Sequence, residues 1–162
     1  MILSFKTKIN GKPTLFPEKI FAGLIKNKII PASKEFFECY RMPPNVTELK
    51  PKIHTIREDN ANRWNPGIMI DYFIGTRTVN MFRFAPRIQV ISTQTIFLDY
   101  SSKSNIMNVI IDGKHQRGDK LKILAENDGF ESYDDFVKYF KNHVPEGSIT
   151  KLKLIHWTDF KY

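Results

Sequence analysis

Cysteine is almost absent: Cys39 stands alone, which excludes an intrachain disulfide and any CxxC redox or zinc motif. A reducing, cytoplasmic setting fits that usage best. No apolar run approaches the roughly 18 residues of a membrane span. The opening stretch MILSFKTKING has neither the apolar segment nor the small-residue cleavage site of a secretory signal. Also missing are GxxxxGKS/T, GxGxxG after a strand, GxSxG and HExxH. These absences argue against nucleoside-triphosphate hydrolysis, dinucleotide redox chemistry and zinc proteolysis. The four histidines, His54, His115, His143 and His156, show no ligand-like spacing, so no metal site and no cofactor is expected.

What is present suits one domain. A chain of 162 residues buries roughly 70% of its extended surface, enough for a core without staples. Acids are outnumbered, 17 against 25 Lys and Arg, for a net charge of +8. Such a surplus points to a polyanionic partner; the plainer alternative is lysines that merely solvate the surface. Five of the seven arginines (Arg57, Arg63, Arg77, Arg83 and Arg87) fall in one stretch. Arginine suits bidentate recognition of phosphate or carboxylate.

Along the chain, residues 1–9 read as an opening strand. Pro17 marks the first turn of a helix whose apolar face is Ile20, Phe21, Leu24 and Ile25. From 26 to 51 the pattern weakens around Pro31, Pro43 and Pro44, as in an insertion or lid with one short helix. Its aromatics Phe36, Phe37 and Tyr40 suit packing better than base stacking. Pro66–Gly67 turns into an alternating strand at 68–74, and a hairpin at Gly75–Thr76 leads into a strand at 79–84. The segment 88–100 has room for one bent strand or two, and 106–111 for another. Leu121, Leu124 and Ala125 share a helix face that Gly129 is placed to end. Ser132 and Asp135 resemble a capping box ahead of Tyr133, Phe136, Val137 and Phe140 at helical spacing. Residues 152–157 read as a closing strand. Many strands with few, clustered helices predict an α+β fold.

The informative stretch is Lys52-Ile-His-Thr-Ile-Arg-Glu58, followed by Arg63-Trp64-Asn-Pro-Gly67. If extended, it sets Lys52, His54 and Ile56 on one side and Ile53, Thr55 and Arg57 on the other. A twist would bring Lys52 to Thr55. A hydroxyl becomes a useful nucleophile only beside a base, and lysine serves as one only where burial or nearby cations lower its pKa. Lys52 and Arg57 could instead simply bind phosphate, or lie on an exposed charged strand.

This stretch resembles the signature of the ASCH family of the PUA-like superfamily, a Gly-Lys-x-x-Thr-x-Arg kind of sequence. Phe16, Ile20 and Ala22-Gly23 are similar to the family's helix ending in Ala-Gly before the lysine. The Trp64–Gly67 turn into a strand, and Asp128-Gly129-Phe130 with Phe136, are similar to later features. The chain departs from the family in placing residues 24–51 between glycine and lysine, as a lid over the site or an unrelated decoration. The resemblance implies a PUA-like mixed β-barrel with flanking helices and a cleft that binds RNA. One branch, the bacterial N(4)-acetylcytidine amidohydrolases, implies Lys52 as base, Thr55 as nucleophile and an acid, either Glu126 or Asp128. The preferred expectation is RNA or nucleotide binding through Arg57, Arg63, Trp64 and His54 beside Lys52. Trp64 would stack on a base, unless it plugs the core beside its turn. Amide hydrolysis by Lys52, Thr55 and the acid is the alternative. A third reading makes residues 24–51 the contact surface of a protein-interaction or regulatory domain.

Overall fold

The opening segment divides into three short strands, β1 (Ile2–Ser4), β2 (Lys8–Ile9) and β3 (Lys12–Pro13), of which the last two pair as a small hairpin. The computed structural model describes residues 1–162. Helix α1 (Phe16–Lys26) carries Pro17 in its first turn, where a missing N–H is harmless. Most of its residues from Phe16 to Leu24 are buried, so it is an internal helix packed all round. Next come α2 (Lys34–Cys39), a 3-10 turn (Pro44–Glu48), β4 (His54–Arg57) and β5 (Met69–Ile74). Strands β6 (Phe82–Arg83), β7 (Ile88–Gln89), β8 (Ser92–Ser101), β9 (Ile106–Ile111) and β10 (Lys114–Gln116) follow. The chain closes with α3 (Asp119–Asn127), α4 (Tyr133–Phe140) and β11 (Ile149–His156). No helix is long and apolar enough to cross a membrane.

The α+β expectation holds; the closed barrel does not. In one sheet β1 runs parallel to β5, and β6 and β7 pair antiparallel with different halves of β5. The other is antiparallel in the order β10-β9-β8-β11-β4. Edge strands β1 and β4 come together without a backbone ladder. There a side chain makes the connection, Arg57 Nη2 donating to the Ser4 carbonyl at 2.7 Å. Strands β6 and β7 have two residues each and β10 three, too short to wrap the sheets shut. The strand expected at 79–84 shrinks to β6, because Thr78 ties the turn by donating to the Gly75 carbonyl at 2.8 Å and accepting from the Asn80 N–H at 3.1 Å. Val79 is left fully exposed.

One hydrophobic cluster spans both sheets and helices α1, α3 and α4. At its centre Trp157 meets Tyr72 edge-on at 5.5 Å and Phe5 at 6.3 Å, joining the end of β11 to the other sheet. Such aromatic pairs add about 0.5–1.5 kcal/mol beyond the area they bury.

Residues 24–51 leave α1 and return to it. Phe37 and Tyr40 pack on Phe21 at 6.1 and 5.9 Å, as packing residues rather than a stacking platform. The Lys52 N–H then donates to the Lys19 carbonyl at 2.9 Å. The return is so close that a Cβ added at Gly23 would lie 2.6 Å from the Lys52 carbonyl oxygen. Glycine and lysine, separated in sequence, are thus neighbours in space. Gly23→Ala would force two backbones apart, and we expect it to lower unfolding free energy by roughly 1–3 kcal/mol. Urea denaturation measures this; an unchanged midpoint would show that the contact can relax.

Candidate functional site

Where β1 and β4 meet, a cavity of about 30 Å³ lies among Thr55, Ile56 and Arg57 of β4, Lys52 just before it, Phe5 and Lys6 after β1, and Phe16 of α1. Asp128, Phe130, Tyr139 and Phe140 complete it from the α3–α4 side. Thr55 and Arg57 share a face by strand alternation. Lys52 joins them because the backbone is not yet in the ladder at that residue.

Asp128 owes its place to the end of α3. The Phe130 N–H donates to the Ala125 carbonyl and the Gly129 N–H to the Glu126 carbonyl, each at 2.9 Å, a Schellman ending that places glycine in the left-handed region. Gly129 has φ 91°, and a Cβ there would stand 3.0 Å from both Lys52 Cδ and the Phe16 ring. The ending therefore turns the chain and leaves room for the lysine. Lys52 Nζ donates to Asp128 Oδ1 at 2.5 Å and also to the Asp128 carbonyl. The ammonium thus sits at the negative end of a helix, 4.9 Å above the Phe16 ring.

Both partners are almost wholly enclosed, Lys52 at 2% and Asp128 at 4% exposure. Burial pulls the Lys52 pKa down to about 8 despite Asp128, with Arg57 and Lys19 adding to the fall. Burial pushes the Asp128 carboxyl above its ordinary range, against the pull of Lys52 and Arg57. Thr55 lines the same cavity and is itself buried. Chemically, a buried lysine able to shed its proton near neutrality, a hydroxyl and a carboxyl surround one small space. Those are the groups that hydroxyl activation and proton transfer need; Lys52 Nζ bonds only Asp128, and no hydrogen bond joins it to the Thr55 hydroxyl.

A wider groove of about 390 Å³ adjoins the cavity, lined by Asn10, Lys12 and Thr14 of the β2–β3 region, Lys19, Glu131 and Lys138. Phe16, Phe130 and Tyr139 belong to both spaces and form their common wall. Around the two together stand six cations, Lys6, Lys12, Lys19, Lys52, Arg57 and Lys138, against three carboxylates, Asp128, Glu131 and Asp135.

The sequence left the acid open between Glu126 and Asp128. Asp128 enters the cavity, whereas Glu126 turns outward to Lys50 at 2.9 Å. Arg63 and Trp64 do not belong to the site. Their N–H groups donate to Asp59 at 2.8 and 3.0 Å, and Lys153 binds Asp59 at 2.5 Å and the Trp64 carbonyl at 2.9 Å. This loop packs the indole into the core. His54 faces away from the cavity, as strand alternation requires, and touches it only through Asp128, with Nδ1 3.7 Å from Oδ1. Of the arginines only Arg57 lines the cavity or groove; Arg83 and Arg87 meet instead at Asp71, at 3.8 and 3.0 Å. No residue of 24–51 lines the cavity or groove, so that segment is not a lid. Lys19 and Tyr139 went unnoticed in the sequence. A lysine three residues after Phe16, on the buried side of an apolar helix, was the available signal for the first. Tyr139 sits beside the apolar stripe of α4 and gave none.

Between about pH 8 and 10.5 the unfolded chain binds a proton at Lys52 that the folded chain has released. Unfolding free energy should therefore rise with pH across that window, by on the order of 3 kcal/mol at most. Lys52→Met should lose this rise. Urea titrations of both proteins at the two ends decide it, and parallel pH profiles would refute the assignment.

Comparison of the chain with protein-family models, with curated proteins and with solved structures finds no match.

Proposed function

We propose that the groove and cavity bind a nucleotide, free or exposed in single-stranded RNA. The observation that carries this is the shared aromatic wall of Phe16, Phe130 and Tyr139 between a cationic groove and a buried polar end. A groove of about 390 Å³ lies within the ordinary range for small-ligand sites. Aromatic faces hold bases with little regard to sequence, and lysines neutralise the backbone. The cavity, at about 30 Å³, has the volume of a single water. The base and sugar would stay in the groove, and only a small substituent would point at Lys52 and Thr55. Binding of a short single-stranded RNA should weaken about 10–20-fold between 50 and 200 mM salt if some three phosphates are neutralised. Tyr139→Ala should cost a further 1–3 kcal/mol, by analogy with a lost stacking contact. Filter binding or calorimetry tests both, and an affinity indifferent to salt rules the reading out.

A second reading is favoured by a specific observation: Lys52, Thr55 and Asp128 surround one cavity. The similarity of the Lys52–Arg57 stretch to the ASCH signature supports hydrolysis of an exocyclic amide such as that of N(4)-acetylcytidine. Lys52, as the free amine, would take the Thr55 proton while the hydroxyl oxygen attacks the acyl carbonyl. The Lys52–Asp128 pair would then return a proton to the departing nitrogen, and water would release the acyl group from Thr55. Wild-type protein should liberate acetate from N(4)-acetylcytidine, and Thr55→Ala should reduce the rate by two to four orders of magnitude. Absence of acetate at high wild-type concentration sinks this reading and leaves the binding site standing.

A further inference from the structure

Behind β4, on the face away from the cavity, lies a second buried polar cluster. His54 and His156 sit opposite each other across the β4–β11 ladder, both fully buried, with ring centroids 5.3 Å apart. The Tyr162 ring stands edge-on to His54 at 5.5 Å, and its hydroxyl lies 2.7 Å from His54 Nε2. At the other side of the imidazole, Nδ1 has no hydrogen-bond partner and faces Asp128 Oδ1 at 3.7 Å. Tyr162 is itself fixed, its N–H donating to Gln94 Oε1 at 3.0 Å.

The protons in this cluster can be assigned from donor and acceptor chemistry. Asn127 Nδ2 donates to the Tyr162 hydroxyl oxygen at 3.2 Å. Burial raises the Tyr162 pKa, so the phenol keeps its hydrogen, and the acceptor within reach is His54 Nε2. Burial, with His156 and Lys52 nearby, keeps the His54 imidazole neutral well below its usual range. A neutral imidazole that accepts at Nε2 carries its hydrogen on Nδ1. That hydrogen faces the Asp128 carboxyl.

We infer that His54, set in its Nδ1–H tautomer by Tyr162, is a positioning residue that orients Asp128 Oδ1 toward Lys52. Its importance rests on the reading of Lys52 and Asp128 as the centre of the site. The relay runs Asn127, Tyr162, His54, Asp128: Asn127 donates to Tyr162 and Tyr162 to His54, the His54 Nδ1 hydrogen points at Asp128 Oδ1 across 3.7 Å, and Lys52 donates to Asp128 from the cavity side. An apolar side chain at position 54 would fill the space without leaving Nδ1 unpaired, and an unpaired buried donor is costly. The relay gives that donor a use. Other groups face the pair as well: Arg57 on β4, Lys19 on α1 and Tyr139 on α4, while His156 on β11 faces His54.

The test uses the full chain without ligand. Long-range proton–nitrogen NMR of the histidines should show His54 protonated at Nδ1 and bare at Nε2. In Tyr162→Phe the lock is gone, and the ring should shift toward the Nε2–H form. The Nδ1 hydrogen that faces Asp128 is then gone, so the carboxylate is less favoured and its hold on Lys52 weakens. The titration midpoint of the Lys52 ammonium, followed by side-chain NMR, should fall by a few tenths of a unit, with the circular dichroism spectrum unchanged. A wild-type His54 protonated at Nε2 overturns the inference. So does a tautomer change that leaves the Lys52 midpoint where it was. Failure of nucleotide binding or acetate release, with both signatures present, would count against the proposed function and not against the relay.

Discussion

A lysine ammonium and a carboxylate pressed together out of water, Lys52 with Asp128, set the terms for everything near them. Such a pair loses several kcal/mol of hydration per ion, which its mutual attraction offsets only with well-placed extra donors and acceptors. The surroundings supply them. The Asp128 carbonyl takes a second hydrogen of the ammonium, α3 presents its negative end, and Arg57 lends charge to the carboxylate. Gly129 turns the chain in the left-handed region against the lysine stem, and Gly23 admits its backbone. Two glycines and a helix ending are thus tied to one ion pair.

The pair lies where two sheet edges meet without pairing. Had β1 and β4 exchanged backbone hydrogen bonds, a ladder would occupy the cavity. The contact is instead carried by the Arg57 guanidinium on the Ser4 carbonyl, and the resulting seam is covered by α1, the end of α3 and α4. Openness and site have the same origin. The excursion of residues 24–51 does not disturb this arrangement, because its aromatic residues are absorbed by Phe21 on α1 and the chain returns to the point it left.

The basic surplus is distributed more selectively than a count suggests. Several lysines and arginines are paired within the chain: Lys153 organises the loop after β4, and Arg83 and Arg87 turn to Asp71 at the surface. Lys19 is buried between the Gly129 carbonyl and Glu131. The groove gathers three lysines against two carboxylates beside aromatic rings. Lys19 pairs with Glu131 and Lys138 with Asp135 at 3.6 Å, so its surplus is Lys12, and the proposed binding of an anionic ligand rests on that surplus.

Local chemistry was legible in the residues themselves. Pro17 in the first turn of α1, the Gly129 ending of α3, the Ser132–Asp135 cap of α4 and the alternation of β5 all depend on neighbours within a few positions. Alternation likewise put Thr55 and Arg57 on one face but set Lys52 on the other, and it is the backbone ahead of β4, outside the ladder, that brings the lysine to them. Choosing Asp128 over Glu126 required the helix ending in three dimensions, since residues two apart at a helix end point about 200° away from each other. The removal of Trp64 and Arg63 from the site depended on Asp59 and Lys153, the latter far along the chain. The unclosed sheets, the return of residue 52 to residue 23 and the placement of Tyr162 against His54 are likewise long-range outcomes. Sequence periodicity determines which face of an element is apolar; which elements then share that face is decided by packing the whole chain around one core.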